Sequence, residues 1–231
     1  FIFRDQVIAP LFDRRQTHKA EDAIDETNDI IIAGRGRVGG IVDRMLRAAG
    51  YRSTVIDFNS RHIEFVQKFG FKTYFGDASR PGLLHAAGIE RAKVLLVLID
   101  DQAQINEIVR HVLHTYPNVH VVARAKSRTH VYELWSIGCR DIIRETYDSS
   151  LRMGRSAYQA LGISKEASEK MSHAFDQADR KRLREFADLY DVSKPAWENE
   201  AFITRIRDAM EDWESELNAE MREIQDMPRK A

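Results

Sequence analysis

The sequence is poor in the features that would place it quickly. One cysteine, Cys139, stands among 231 residues, so no internal disulfide can form, and we read it as a buried or half-buried thiol in a reducing compartment. No stretch approaches the ~20 consecutive apolar residues that a membrane helix needs. Charge of one sign is also missing: 35 basic residues face 36 acidic ones and no basic run stands out, which removes nucleic acid as an expected partner. GxSxG, HExxH and a Cys-His pair arranged for nucleophilic attack are all absent. His111, His114 and His120 lie near one another in sequence but lack a carboxylate at ligand spacing, so no metal is expected. The chain opens on Phe1 and not on methionine, and we read it as a fragment of something longer whose remainder could lie in a membrane.

What is present is concentrated near the start. The apolar run Ile30-Ile-Ile-Ala33 leads into Gly34-Arg-Gly36-Arg-Val38-Gly39 and then into residues 41–49, whose apolar positions recur at helical spacing. This strand-turn-helix unit has a physical reading. Gly34 allows the tight turn, Gly36 lets backbone approach a phosphate, and Gly39 lets helix pack on strand. The helix N-terminus then offers unpaired N–H groups to an anion. Eighteen positions on, Asp57 ends the next apolar run, Ser53-Thr-Val-Ile-Asp57. A carboxylate there accepts from both ribose hydroxyls and repels a 2'-phosphate, so AMP or NAD(H) is favoured over NADP.

The chain divides in three. Residues 1–28 read as a linker ending in an acidic run, residues 29–145 as a nucleotide-binding domain, and residues 146–231 as a helical arm. Strands are expected near 29–33, 53–57, 72–75, 93–98, 119–123 and 141–143, alternating with helices near 38–48, 61–69, 80–87, 101–115 and 128–137. Apolar runs such as Val94-Leu-Leu-Val-Leu-Ile99 suit strands covered on both faces, so the fold class is α/β, a doubly wound, Rossmann-like parallel sheet with a C-terminal helical arm. Beyond Arg144 the pattern is helical near 146–162, 165–190 and 197–226. An apolar face through Phe175, Leu183 and Phe186, and another through Trp197, Phe202, Ile206 and Trp213, fit either packing within the chain or an arm that crosses to a second copy.

Two further groups flank the expected crevice. Gly76-Asp77-Ala78-Ser79 follows the third strand, where Asp77 and Ala78 could meet adenine, or Asp77 or Ser79 could cap a helix. Asp100-Asp101 ends the fourth strand, as a helix start rich in acids or, less in keeping with its surroundings, as metal ligands. Phe58, Ala78, Ile99 and Asp100 complete the candidate nucleotide set. Arg44, Arg124 and Arg144 suit carboxylate or phosphate recognition, or ordinary ion pairs.

The order Ile-Ile-Ala-Gly-x-Gly-Arg-x-Gly, Val-Ile-Asp57, His62-Ile-Glu, Lys68-Phe-Gly70, Tyr74-Phe-Gly-Asp-Ala78, Ile99-Asp-Asp101, Ala123-Arg-Ala125 and Arg144-Glu-Thr146 resembles the cytosolic regulatory RCK/KTN domain of Kef-type glutathione-gated potassium-efflux antiporters. The resemblance implies a nucleotide-bound homodimer at the cytoplasmic face of the bacterial inner membrane, attached to a potassium/proton antiporter domain of the same full-length chain. It implies inhibition by glutathione, activation by glutathione S-conjugates, and an ancillary flavoprotein resembling a quinone reductase. The family's nucleotide residues fall on Gly34, Gly36, Arg37, Val38, Gly39, Asp57 and Asp77. Its glutathione residues fall on Arg44, Phe69 and Arg144, with Asp179 contributed by the partner arm. Three positions depart from the family pattern: Arg35 replaces an aromatic residue, Gly40 replaces a longer polar one, and a carboxylate stands at Asp179 where relatives can carry an amide. The reading is a sensor and not an enzyme. Its rival from another class is a soluble NAD-dependent dehydrogenase with the arm as substrate domain.

Overall fold

In the computed structural model the described residues are 20–194 and 196–225. Six parallel strands lie in the order β3-β2-β1-β4-β5-β6: β1 (Ile30–Ala33), β2 (Ser53–Asp57), β3 (Tyr74–Phe75), β4 (Val94–Val97), β5 (His120–Ala125) and β6 (Asp141–Arg144). Between them run α1 (Gly39–Ala48), α2 (Ser60–Gln67), α3 (Pro81–Ala86), a single 3-10 turn (Ile89–Arg91), α4 (Gln102–Thr115) and α5 (Arg128–Ser136). The period-2 alternation of strand side chains divides the core. Ile31 and Ala33 of β1 join Ile56, Leu95 and Val97 on one face, while Ile30 and Ile32 join Val55 and Leu98 beneath Val42 and Leu46 of α1 on the other. All four residues of β1 are buried, as expected of a central strand covered on both sides.

β1 pairs with β2 on one side and β4 on the other, so the order reverses at β1. A crevice opens there beyond the carboxyl ends of the strands. That reversal positions the site described below.

Residues 20–28, expected as linker, are fastened to the sheet edge. Asp22 N donates to the Phe75 carbonyl at 2.9 Å and Phe75 N donates back to the Asp22 carboxylate at 2.8 Å. Lys72 Nζ lies 2.6 Å from Asp25 and 3.1 Å from Glu26, and the Tyr74 hydroxyl donates to Asp25. The Lys72 and Tyr74 hydrogen bonds bring the Asp25 carboxyl down to about 2. The acidic run is thus matched to cations and donors on and beside β3. The first 19 positions of the expected linker lie outside the described residues.

The arm consists of α6 (Tyr147–Ala160), α7 (Lys165–Ala187), a 3-10 turn (Ala196–Glu198) and α8 (Glu200–Gln225). Gly162, at φ 90°, turns the chain between α6 and α7. α7 then returns over α5: Phe186 and Phe202 pack with Tyr132, and the Tyr132 and Tyr190 rings each lie within 5.3 Å of Phe202. The apolar face through Leu183 and Phe186 is therefore covered within the chain. Trp197, expected on the buried face of the last helix, belongs to the turn before it and is exposed.

Candidate nucleotide site

The glycine turn is fixed from three directions. Gly34 has φ 97°, and a Cβ there would stand 2.8 Å from the Ile99 backbone nitrogen, so both conformation and space exclude a side chain. A Cβ at Gly39 would lie 2.0 Å from the Gly34 carbonyl oxygen, so the helix reaches its strand only with glycine at this position. Gly36 differs: nothing in the described protein lies within 4 Å of the Cβ position, which leaves backbone open on the crevice side.

Asp57 holds the turn from across the sheet. Its Oδ2 accepts from Arg35 N at 2.7 Å and Gly36 N at 3.3 Å, and its Oδ1 accepts from Asn59 N at 2.8 Å. A carboxylate has about four lone-pair positions. Asp57, expected to face ribose alone, is first the organiser of the turn, and capacity remains for one sugar hydroxyl. The Arg35 side chain runs inward, 3% exposed, pairing with buried Asp43 at 3.1 Å, donating to Thr73 Oγ1 at 3.3 Å and lying 4.6 Å from the centre of the Phe71 ring. This accounts for an arginine at this position: its charge is neutralised by Asp43 and its guanidinium lies over a ring face.

The helix ends around the crevice fall into two kinds. Asn59, Asp101, Ser127 and Ser164 cap α2, α4, α5 and α7 through their side chains. The starts of α1 at Val38, α3 at Arg80 and α6 at Thr146 have no side-chain cap, and that of α1 is the one that follows the glycine turn, its first amides without a side-chain partner. Asp101 thus caps α4 through its side chain. Among the described residues no group of three or more His, Cys, Asp or Glu is gathered to hold a metal ion.

A cleft of about 410 Å³ lies over this turn. Of the expected nucleotide residues it is lined by Gly34, Gly36, Asp57, Phe58, Asp77, Ala78, Ile99 and Asp100. Gly39 instead closes the helix onto the strand, Val38 packs its side chain into the core under α1, and Arg37 extends to Glu145 at 3.3 Å. Asp77 Oδ1 accepts from Ser79 N and Oγ at 2.9 and 2.8 Å, so its local role is to fix its own loop; neither residue caps α3, whose start at Arg80 has no side-chain cap. Asn59, His62 and Gln104 also line the cleft and were not foreseen. The Asn at a helix start two positions after Asp57 was the available signal for the first of them.

At the rim Asp100 is paired with Arg124 at 2.8 Å and Lys126 at 3.3 Å, and Glu145 with Lys126 at 2.8 Å and with Arg124. Burial would raise the Asp100 carboxyl, but the two cations outweigh it and hold it below the usual carboxylate range. Arg124 is therefore an ion-paired residue that also donates to the Leu98 carbonyl at 2.9 Å.

The expected glutathione residues separate. Arg144 donates to Asp179, which also accepts from Arg128 at 2.8 Å. Asp179 meets Arg144 of its own chain, because α7 folds back over α5. Burial would raise the Asp179 carboxyl, yet the Arg144 hydrogen bond and the two positive charges keep it low. Arg44 turns back on its own helix, donating to the Gly40 carbonyl at 3.2 Å. Phe69 is 65% exposed and meets Phe65 edge to face at 5.1 Å.

Comparison with known proteins bears on this geometry. The family model of the TrkA-N domain matches residues 30–145, and that of the potassium efflux system KefB C-terminal domain matches residues 149–231. The glutathione-regulated potassium-efflux system protein KefC of Cronobacter sakazakii is 34% identical over 175 residues, covering 76% of this chain and 28% of the relative. KefC of Salmonella arizonae is also 34% identical, with 74% and 28% covered. The chain thus spans under a third of the length of these relatives. A solved structure of the Shewanella denitrificans Kef CTD in AMP-bound form is similar at 37% identity and TM-score 0.65, covering 70% of this chain and 99% of that one. The TrkA-N domain of the Escherichia coli inner membrane protein ybaL shares the fold, at 23% identity and TM-score 0.51, with 56% of this chain and 96% of that one covered.

Proposed function

The chain belongs to the TrkA-N family, in the form followed by a KefB-type C-terminal domain, and from that premise we propose that it is a nucleotide-holding sensor that regulates a potassium-efflux antiporter. The observation that carries the nucleotide reading is the cleft at the strand-order reversal, where the uncapped start of α1, the open Gly36 backbone and the Asp57 carboxylate converge. These residues fit an adenine nucleotide: phosphate on the α1 amides, ribose beside Asp57, base toward Phe58, Asp77 and Ala78. The AMP-bound state of the Shewanella denitrificans relative supports the same choice. Residues 29–145 would be the nucleotide unit and 146–231 the arm.

Calorimetry with AMP and NADH tests this directly. Asp57→Ala should lose about 1.5–3 kcal/mol of binding through its charge-assisted bonds. Because Asp57 also organises the turn, Asp57→Asn serves as the comparison: its amide oxygen still accepts from the turn while the charge is gone. Unchanged AMP and NADH affinity in Asp57→Ala would sink the assignment.

The glutathione part of the reading places the tripeptide's carboxylates at Arg44 and Arg144, with Phe69 beside its thiol and a bulky S-substituent displacing that ring. Only such differential binding can drive a switch between inhibited and active states. Asp179 then serves as the anchor that orients Arg144, since an ionised carboxylate can only accept hydrogen bonds. A homodimer is supported by exposed apolar side chains on α1, on α2 and in the turn after it, namely Ile41, Met45, Phe65 and Phe69. The antiporter domain would precede this part in the same chain, placing it at the cytoplasmic membrane face, and a quinone-reductase-like flavoprotein would be its ancillary partner.

A further inference from the structure

The glycine turn carries an exposed cation that does not line the cleft. Arg37 stands at the amino end of α1 with its side chain 80% exposed. Its Nη2 donates to Glu145 Oε1 at 3.3 Å and lies 3.9 Å from Asp100 Oδ1. Neither carboxylate depends on it, because Arg124 and Lys126 pair with both. Two carboxylates therefore share three cations, and Arg37 is the one in water. It is also the one attached to the turn that would face a phosphate.

An ion pair this exposed is held weakly and is screened by salt. A phosphate on helix amides offers the same guanidinium a doubly charged acceptor in a fixed position. On the other side of the exchange, Glu145 directly follows Arg144, whose guanidinium lies over the Tyr147 ring at 3.4 Å and is bonded to Asp179 of α7. Glu145 N also donates to the Ala125 carbonyl at 3.0 Å, tying the end of β6 to the end of β5. Glu145 thus stands at the junction where the sheet passes into the arm.

We propose that Arg37 is shared between the nucleotide's phosphate and Glu145, so that filling the cleft withdraws a cation from the β6–α6 junction, and the state of that junction in turn sets how tightly nucleotide is held. The coupling is reciprocal by linkage. It rests on the adenine-nucleotide reading of the cleft, and it adds to that reading a route from the cleft to the arm through one side chain.

A double-mutant cycle on the whole 231-residue chain tests it, with AMP as the probe in calorimetry. Glu145→Gln removes the competitor and should tighten AMP binding about two- to fivefold, the range expected of an exposed pair. Arg37→Ala should weaken it, and adding Glu145→Gln to Arg37→Ala should then change nothing. If Glu145→Gln tightens AMP equally with and without Arg37, the effect is charge acting through space and the proposal is wrong. No tightening in the parent background overturns it as well. Amide hydrogen exchange supplies a second reading that needs no change at Glu145: saturating AMP should raise exchange over residues 145–150 in the parent but not in Arg37→Ala. Equal exchange changes in both would overturn the proposal. Failure of the parent chain to bind AMP is seen before any variant is made and condemns the nucleotide reading itself.

Discussion

The sheet and the arm are built on different principles. Every residue of β1 is buried and each face of the sheet carries its own core, whereas α6, at fourteen residues, has no fully buried residue and meets the arm's small apolar cluster of Met171, Ala174 and Ile224 through the half-buried Tyr158. The arm is held by an aromatic cluster on Tyr132 and by Asp179 clamped between Arg128 and Arg144. A hydrophobic core resists small changes, while a few polar and aromatic contacts can exchange partners at low cost. The difference teaches where a ligand's influence can be read out: in the arm's attachment, with the sheet as a fixed frame.

The sharpest way to break this contrast is in the sheet. Leu95, fully buried in β4, changed to Ala should cost about 3 kcal/mol and lower the denaturant midpoint of the whole chain. If urea unfolding leaves the midpoint unmoved, the frame is less fixed than described. Next in size, Asp179→Ala strands Arg144 and Arg128 and should cost about 2 kcal/mol, less than a fully buried pair because Arg128 is 43% exposed. Its loss should appear as faster hydrogen exchange in α7 with β1 and β4 unaffected. The same contact has a pH signature. A carboxyl whose folded pKa lies below its unfolded value stabilises fully above the ordinary range near 3.8 and loses that contribution as pH falls through the lowered folded value. Arm detachment monitored by exchange should therefore begin only in that acid window.

The smallest effect is the most discriminating. Cys139 is buried in the sheet core and burial pushes its thiol up to about 11, so at neutral pH it is almost wholly protonated and inert. Maleimide should label it only when the sheet opens. Leu95→Ala should speed labelling and Asp179→Ala should not. Equal acceleration by both would merge the two regions into one cooperative unit.

The residues that made the sheet readable were those with one physical solution. Ile30 to Gly39 and Ser53 to Asp57 admit little other than strand, turn, helix and strand, and the boundaries of β2 and α5 differ from expectation by at most one residue. What escaped was decided by contacts far apart in sequence. Nothing local to Asp57 says that it will hold the Arg35 and Gly36 amides, and nothing local to Asp179 says that α7 will turn back to meet Arg144. Asp22 and Asp25 read as a solvated acidic run because Lys72 and the short β3 that receive them come some fifty positions later. Arg37 belongs to the nucleotide set by resemblance alone, and its partner Glu145 lies 108 positions away.

The strap formed by residues 20–28 bears on where this molecule can be cut. Sequence pattern and family match both begin the domain at about residue 29 or 30, yet the covalent start of the sheet is not its physical edge. β3 has only two residues, and one of them, Phe75, bonds on its outer side to Asp22. A fragment trimmed at residue 29 would expose that edge, leave Lys72 without Asp25 and Glu26, and present open backbone to any passing strand. Its first symptom would be self-association. Its second would be fraying of the loop that begins at Gly76 and carries Asp77 to the wall of the cleft.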